Sequence, residues 1–315
     1  MKLFDLMIEV MLPLALLVAA GALWPRFFPD TPVEAVRSLL NRMAMYLFYP
    51  CILFAVASVT PVSGALLSVP LLVGIGSLLS GLIVYVLLYL MPLGRGLPDS
   101  TRAILVVGGM FGNTFNIGVP VLVFLFGKEA TRYAVFNDML MTMPLVWSVG
   151  VWICTRLGAH ATAGRVPVWR VMFSMPPIWA FILGTASQQL GLVYAPLVAA
   201  TQFIGQATIP VTIFVLGMTI PWRALTPRAE ILATAATKLL VAPLIVWLAA
   251  LALFQPLGEA QFAAVVEGCT PTMMTLLLLA DRFKLDAAAA ALLIGWSTIL
   301  FWFSLPLTLA LGLIR

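Results

Sequence analysis

Long apolar runs recur along this chain, and no other feature limits its fold as strongly. They fall near 3–24, 38–60, 66–92, 103–126, 133–155, 172–190, 196–220, 229–254, 261–280 and 288–313, with most of the charge between them or at their ends. At about 1.5 Å of rise per helical residue, each run is long enough to cross a bilayer. Charged residues make up only 9% of the chain and hydrophobic ones 63%, whereas a soluble domain carries roughly a quarter charged. So few charges cannot solvate a globule of 315 residues, and most of the surface must face lipid. The pattern predicts an all-α integral membrane protein with ten transmembrane helices. The short connections leave no room for a nucleotide-binding or catalytic domain. The net charge of +5 sits in loops, where it sets topology and gives no nucleic-acid surface.

Ala20-Gly21-Ala22 looks like a signal-peptide cleavage site, but Asp5, Glu9 and Pro13 interrupt the order such a peptide needs. The first run is therefore read as a mature span. Ten spans place both termini on one side. Twelve of the 17 basic residues (Arg26, Arg37, Arg42, Arg95, Arg102, Arg156, Arg165, Arg170, Arg223, Arg228, Arg282, Lys284) follow odd-numbered spans; only Lys2, Lys128, Arg132 and Arg315 lie opposite. Both termini are thus expected outside, with the 156–171 connection cytoplasmic and His160 a solvated loop residue. Cys51, Cys154 and Cys269 are isolated from one another and read as packing residues. No metal, haem or other cofactor is expected. The nine tryptophans serve mostly as lipid-facing or interfacial anchors.

The two halves repeat. Met11-Leu-Pro13 returns as Met175-Pro-Pro177, Pro50-x3-Phe54-x6-Pro61 as Pro210-x3-Phe214-x6-Pro221, and Gly112-Asn113-Thr114 as Gly268-Cys269-Thr270, at offsets of 164, 160 and 156. Residues 1–155 and 172–315 would each hold five spans, and an odd number inverts the second copy relative to the first. Inverted repeats are a transporter architecture.

Two spans carry centres that lipid could not accept. The fourth places Gly108, Gly109, Gly112, Asn113, Thr114, Asn116, Gly118 and Pro120 at mid-membrane depth, and the ninth places Glu267, Gly268, Cys269, Thr270, Pro271 and Thr272 there. Glycine and proline open the ladder of backbone hydrogen bonds, so each span should break, with Thr270 and Pro271 as cap and first position of a restarted half-helix. If the breaks cross, their half-helix N-termini offer N–H groups and positive dipole ends to an anion. The alternative is a pair of kinked helices packed on small residues.

Asn113-Thr114 followed by Gly118-Val-Pro120-Val resembles the broken fourth helix of the auxin efflux carrier family, which includes plant auxin exporters and bacterial carriers of malonate-type dicarboxylates. Pro271 with its apolar run, Ala280-Asp281-Arg282-Phe283 and Leu305-Pro306 resemble that family's ninth and tenth helices. The resemblance implies a fold like that of bile-acid/sodium symporters, with spans 1, 2, 6 and 7 as a scaffold and spans 3–5 and 8–10 as a moving transport domain. It also implies a substrate carboxylate held by Asn113, Thr114, Cys269, Thr270 and Pro271, with Asn116 and Thr272 beside them, and a homodimer. One departure stands out: residues 66–92 contain no Asp or Glu to match the family's acid in the third helix.

Coupling or charge pairing would then fall to Asp138, Lys238 and Glu267, because charge inside a membrane is costly and faces a cavity or a partner. Lys238 is expected to supply positive potential for an anion or to pair with Asp138 or Glu267, with one acid titrating. Glu9 lies near the interface and is expected to be solvated. Pro50 and Pro210 would kink scaffold helices, either along the substrate path, with Tyr49 and Thr212 as wall contacts, or simply for packing. The resulting expectation is a secondary active or facilitative carrier of a small organic anion, driven by a proton or sodium gradient or by the substrate's own, since no ATPase motif is present. A sodium-coupled carrier of the bile-acid symporter type, with Asn113, Thr114, Glu267 and Thr270 as oxygen ligands, is the second reading. A channel or membrane sensor is the third. No nucleophile–base or metal constellation suggests an enzyme.

Overall fold

The computed structural model describes residues 2–157, 170 and 173–314. His160, Arg165 and most of the 156–171 connection lie outside the described residues. The principal helices are α1 (Phe4–Phe27), α2 (Val33–Val59), α3 (Gly64–Leu90), α4 (Asp99–Met110), α5 (Thr114–Phe126), α6 (Lys128–Arg156), α7 (Pro176–Gln189), α8 (Ala195–Thr219), α9 (Ala229–Leu253), α10 (Glu259–Gly268), α11 (Thr275–Arg282) and α12 (Ala287–Ala310). No strand occurs among the described residues, only one isolated bridge. Seven helices, α1, α2, α3, α6, α8, α9 and α12, are long and apolar enough to cross a membrane. Of the other three apolar runs, two carry the breaks their glycines and prolines led us to expect, and one is shorter than expected. The fourth is divided into α4 and α5 and the ninth into α10 and α11, while the sixth yields a helix of 14 residues, about 21 Å long.

Proline shapes these helices locally. Six of the seven described π-turns, 7–11, 44–48, 86–90, 114–118, 138–142 and 237–241, end two residues before a proline, respectively Pro13, Pro50, Pro92, Pro120, Pro144 and Pro243. A proline lacks the N–H that the carbonyl four residues back would accept, and its ring crowds that carbonyl. The preceding turn widens, so that the Tyr49 N–H reaches Ala44 O and the Ala242 N–H reaches Thr237 O, five residues back. The consequence is positional, because Thr114, Asn116, Asp138 and Lys238 all ride on such turns.

Packing sorts the helices. α1 lies on α8, and α2 on α7 and α8; α3 lies on α4, α9 and α10, and α9 on α12. Small residues allow the closest approaches. A Cβ at Gly21 of α1 would collide with the Phe214 carbonyl of α8, and one at Gly184 of α7 would lie 2.8 Å from the Phe54 carbonyl of α2. Phe54 and Phe214 are the residues related by the offset of 160.

Candidate functional site

Breaking a helix leaves carbonyls at one new end and N–H groups at the other without intrahelical partners. In this protein the carbonyls are matched by name. At the end of α4, Thr272 Oγ1 donates to Gly108 O at 3.0 Å and Ser80 Oγ to Gly109 O at 2.7 Å. At the end of α10, Thr270 Oγ1 donates to Glu267 O at 2.7 Å and Lys238 Nζ to Gly268 O at 2.8 Å. The two gaps cross and pair. Gly112 and Thr272 form an antiparallel bridge, with the Asn113 N–H donating to Pro271 O at 2.6 Å and the Met273 N–H to Phe111 O at 3.1 Å. These pairs exchange under a shift of 160 residues, so the crossing has local two-fold character. Neither α5 nor α11 has a side-chain N-cap, so both uncapped starts leave this crossing.

Two expectations are corrected here. The second half-helix restarts at Thr275, not at Thr270-Pro271. Pairing with 111–113 holds 271–273 out of helical conformation, so Pro271 contributes its carbonyl and Thr270 caps the helix before the gap. The match of Gly112-Asn113-Thr114 to Gly268-Cys269-Thr270 also fails at the gap. The second gap, 269–274, is three residues longer than the first, 111–113, and Gly112 faces Thr272 instead.

Around the crossing the polar side chains form three groups. Asn116 Nδ2 donates to Asn113 Oδ1 at 2.9 Å, and Thr212 Oγ1 of α8 donates to Asn116 Oδ1 at 2.7 Å. Asp138 of α6 accepts from Thr114 Oγ1 at 3.1 Å and from the Tyr49 hydroxyl of α2. Glu267, fully buried, accepts from Asn137 Nδ2 at 3.5 Å and lies against Gly118, where a Cβ would come within 2.9 Å of Oε1. Among the described residues Asn113 Nδ2, Asn137 Oδ1 and Glu267 Oε1 are buried with no hydrogen-bond partner. Cys269 is fully buried among the same elements.

Of the two roles expected of Lys238, the ion pair with Asp138 or Glu267 is not formed among the described residues. Lys238 is only 3% exposed, yet among the described residues no carboxylate lies within 4.0 Å of its ammonium. Its reach is taken up by the Gly268 carbonyl, while both acids are held by hydroxyl and amide donors. Tyr49 and Thr212 do reach the crossing, but Pro210 is exposed and Pro50 acts on the turn before it. Glu9 is exposed. Ser80, Asn137 and Ser297, whose Oγ accepts from the Thr272 N–H at 3.1 Å, belong to the site and escaped the sequence reading. Their signal was weak, small polar residues scattered through otherwise apolar spans. The hollow bounded by Gly112, Thr114, Thr142, Lys238 and Glu267 measures about 10 Å³, room for one water and no more. Among the described residues no three His, Cys, Asp or Glu side chains cluster as a metal site.

A model of membrane transport proteins matches residues 6–309. The chain belongs to that family. It is the auxin efflux carrier family whose motifs the sequence resembles, a family of transporters rather than enzymes, and the protein is an integral multi-pass membrane protein. It is 29% identical over 278 residues to a transporter of Methanothermobacter thermautotrophicus named only as uncharacterized, covering 87% of this chain and 88% of that one. A second such transporter, from Methanocaldococcus jannaschii, is 26% identical over 205 residues, covering 61% of this chain and 62% of that one.

Proposed function

We propose that this transporter is a ten-span secondary active or facilitative carrier of a small organic anion, a mono- or dicarboxylate or an auxin-like acid, working by elevator-type alternating access. The observation that carries the reading is the paired crossing of two broken helices, with uncapped half-helix starts on either side. Such starts attract anions through their N–H groups and dipoles, and Lys238 adds positive charge nearby. Residues 1–155 and 172–315 are taken as inverted five-span repeats joined by 156–171, with both termini outside. The shift of 160 that exchanges the crossing hydrogen bonds supports this, as does the way Ser80 on Gly109 mirrors Lys238 on Gly268. Helices α1, α2, α7 and α8 serve as scaffold, and α3 to α6 with α9 to α12 as the moving domain.

In this scheme Asn113, Thr114 and Asn116 hold the carboxylate beside Thr270, Pro271, Thr272 and Cys269. Tyr49 and Thr212 form the wall, and Gly112, Gly118 and Gly268 keep the backbones close. Asp138 or Glu267 titrates where transport is proton-linked. The hollow of about 10 Å³ beside the crossing is too small for a carboxylate, so substrate entry needs the packing around the crossing to open. A sodium-coupled cycle is the second reading, favoured by two buried oxygens without partners among the described residues, Glu267 Oε1 and Asn137 Oδ1.

The test is a thermal-shift screen of short carboxylates and indole acids at two pH values, with and without sodium. It is followed by uptake into liposomes with wild type and Asn113→Ala. Loss of binding and uptake in the variant is expected; unchanged binding and uptake would remove the crossing as the substrate site.

A further inference from the structure

A much larger cavity lies away from the crossing. Where α1 and α8 end side by side, a groove of about 910 Å³ runs over Ala19, Ala22 and Gly217 and is walled by Trp222 and Trp302. It is open because its floor is made of small residues. At Gly21 and Gly217 the two helices touch backbone to backbone, where an added Cβ would collide with the Phe214 and Val18 carbonyls. The Trp222 indole N–H is tied to Gly217 O at 2.9 Å, which fixes that wall. Apart from the indole N–H groups, only two lining side chains are polar: Arg26, in the last turn of α1, and Arg223, in the loop after α8. Both are exposed, and among the described residues neither has a carboxylate within 4.0 Å.

An apolar trough at the end of spanning helices, finished by two guanidiniums without a carboxylate partner among the described residues, is complementary to an anionic amphiphile. Its size is that of a site for one small amphiphilic molecule. The guanidinium fork matches a phosphate bidentately. A soluble anion would leave the trough unused, and a zwitterionic lipid would bring its own cation against the two arginines. We propose that this groove binds one anionic phospholipid, its phosphate held by Arg26 and Arg223 and an acyl chain laid along Ala19, Ala22 and Gly217. The site stands apart from the transport reading and needs no knowledge of the substrate. Because Trp302 belongs to α12 and the floor to α1 and α8, the bound lipid would span the seam between packed groups of helices.

The test uses the full chain purified in detergent and titrated with phosphatidylglycerol, with phosphatidylcholine of the same acyl chains, and with inorganic phosphate, following thermal unfolding and lipid retention by native mass spectrometry. Saturable stabilisation by phosphatidylglycerol is expected, with little from phosphatidylcholine and none from phosphate. Each arginine near an anionic headgroup should contribute about fivefold in affinity, so Arg26→Gln with Arg223→Gln should weaken binding about 25-fold. Ala19→Phe, which fills the trough and keeps both charges, should weaken it as well. Equal effects of the two lipids, full stabilisation by phosphate alone, or wild-type lipid binding by both the double variant and Ala19→Phe would overturn the proposal.

Discussion

Replacing Lys238 by methionine separates fold stability from transport. The substitution keeps a long unbranched chain and removes the ammonium. What is lost to the fold is one charge-assisted hydrogen bond, the 2.8 Å contact with Gly268 O, worth about 1.5–3 kcal/mol. What is gained is relief from burying a charge that is 3% exposed and, among the described residues, has no carboxylate within 4.0 Å, a burden of several kcal/mol. The balance leaves the variant between neutral and about 2 kcal/mol more stable. Transport should move the other way. A carboxylate held about 6 Å from the ammonium gains roughly 2.8 kcal/mol at an effective dielectric of about 20, about 100-fold in affinity. Thermal unfolding in detergent measures the first quantity, and carboxylate binding with proteoliposome uptake measures the second. A variant that unfolds far below wild type would show the ammonium to be a structural tie. One that binds and transports like wild type would refute its role as the positive charge of the site.

Thr212→Val removes the 2.7 Å bond to Asn116, worth about 1 kcal/mol; the transport rate is expected to change about fivefold, with thermal stability lowered by no more than that bond, and an unchanged rate would show that this contact does not gate. Gly21→Ala should cost about 1–3 kcal/mol of stability by driving a methyl into the Phe214 carbonyl, whereas Gly64→Ala, with nothing within 4 Å, should stay within about 0.5 kcal/mol in the same unfolding assay. Pro243→Ala returns an N–H to α9 and lets the 237–241 turn close to α-helical register; Lys238 should swing off Gly268, and transport should fall while helix content by circular dichroism is unchanged.

The sequence alone determined that the chain is helical and lipid-embedded, because a run of about 20 apolar residues can satisfy its backbone in a bilayer only by coiling on itself. It also located both interruptions, since Gly112, Asn113 and Pro120 in one span and Gly268 and Pro271 in the other weaken the helix by purely local chemistry. The placement of Thr114, Asn116, Asp138 and Lys238 on widened turns was legible in principle too, because each lies four to six residues before a proline whose missing N–H is a local fact. Tertiary structure decided the rest. The second gap runs to Thr275 because residues 111–113, 160 positions away, hold 271–273 extended. Lys238 meets a carbonyl instead of an acid because Gly268, on another broken helix, brings its oxygen within 2.8 Å, while Tyr49 and Thr114 reach Asp138 first. Local hydrogen-bond geometry is written residue by residue; which of several buried polar groups meet depends on how distant helices pack, and no stretch of sequence contains that.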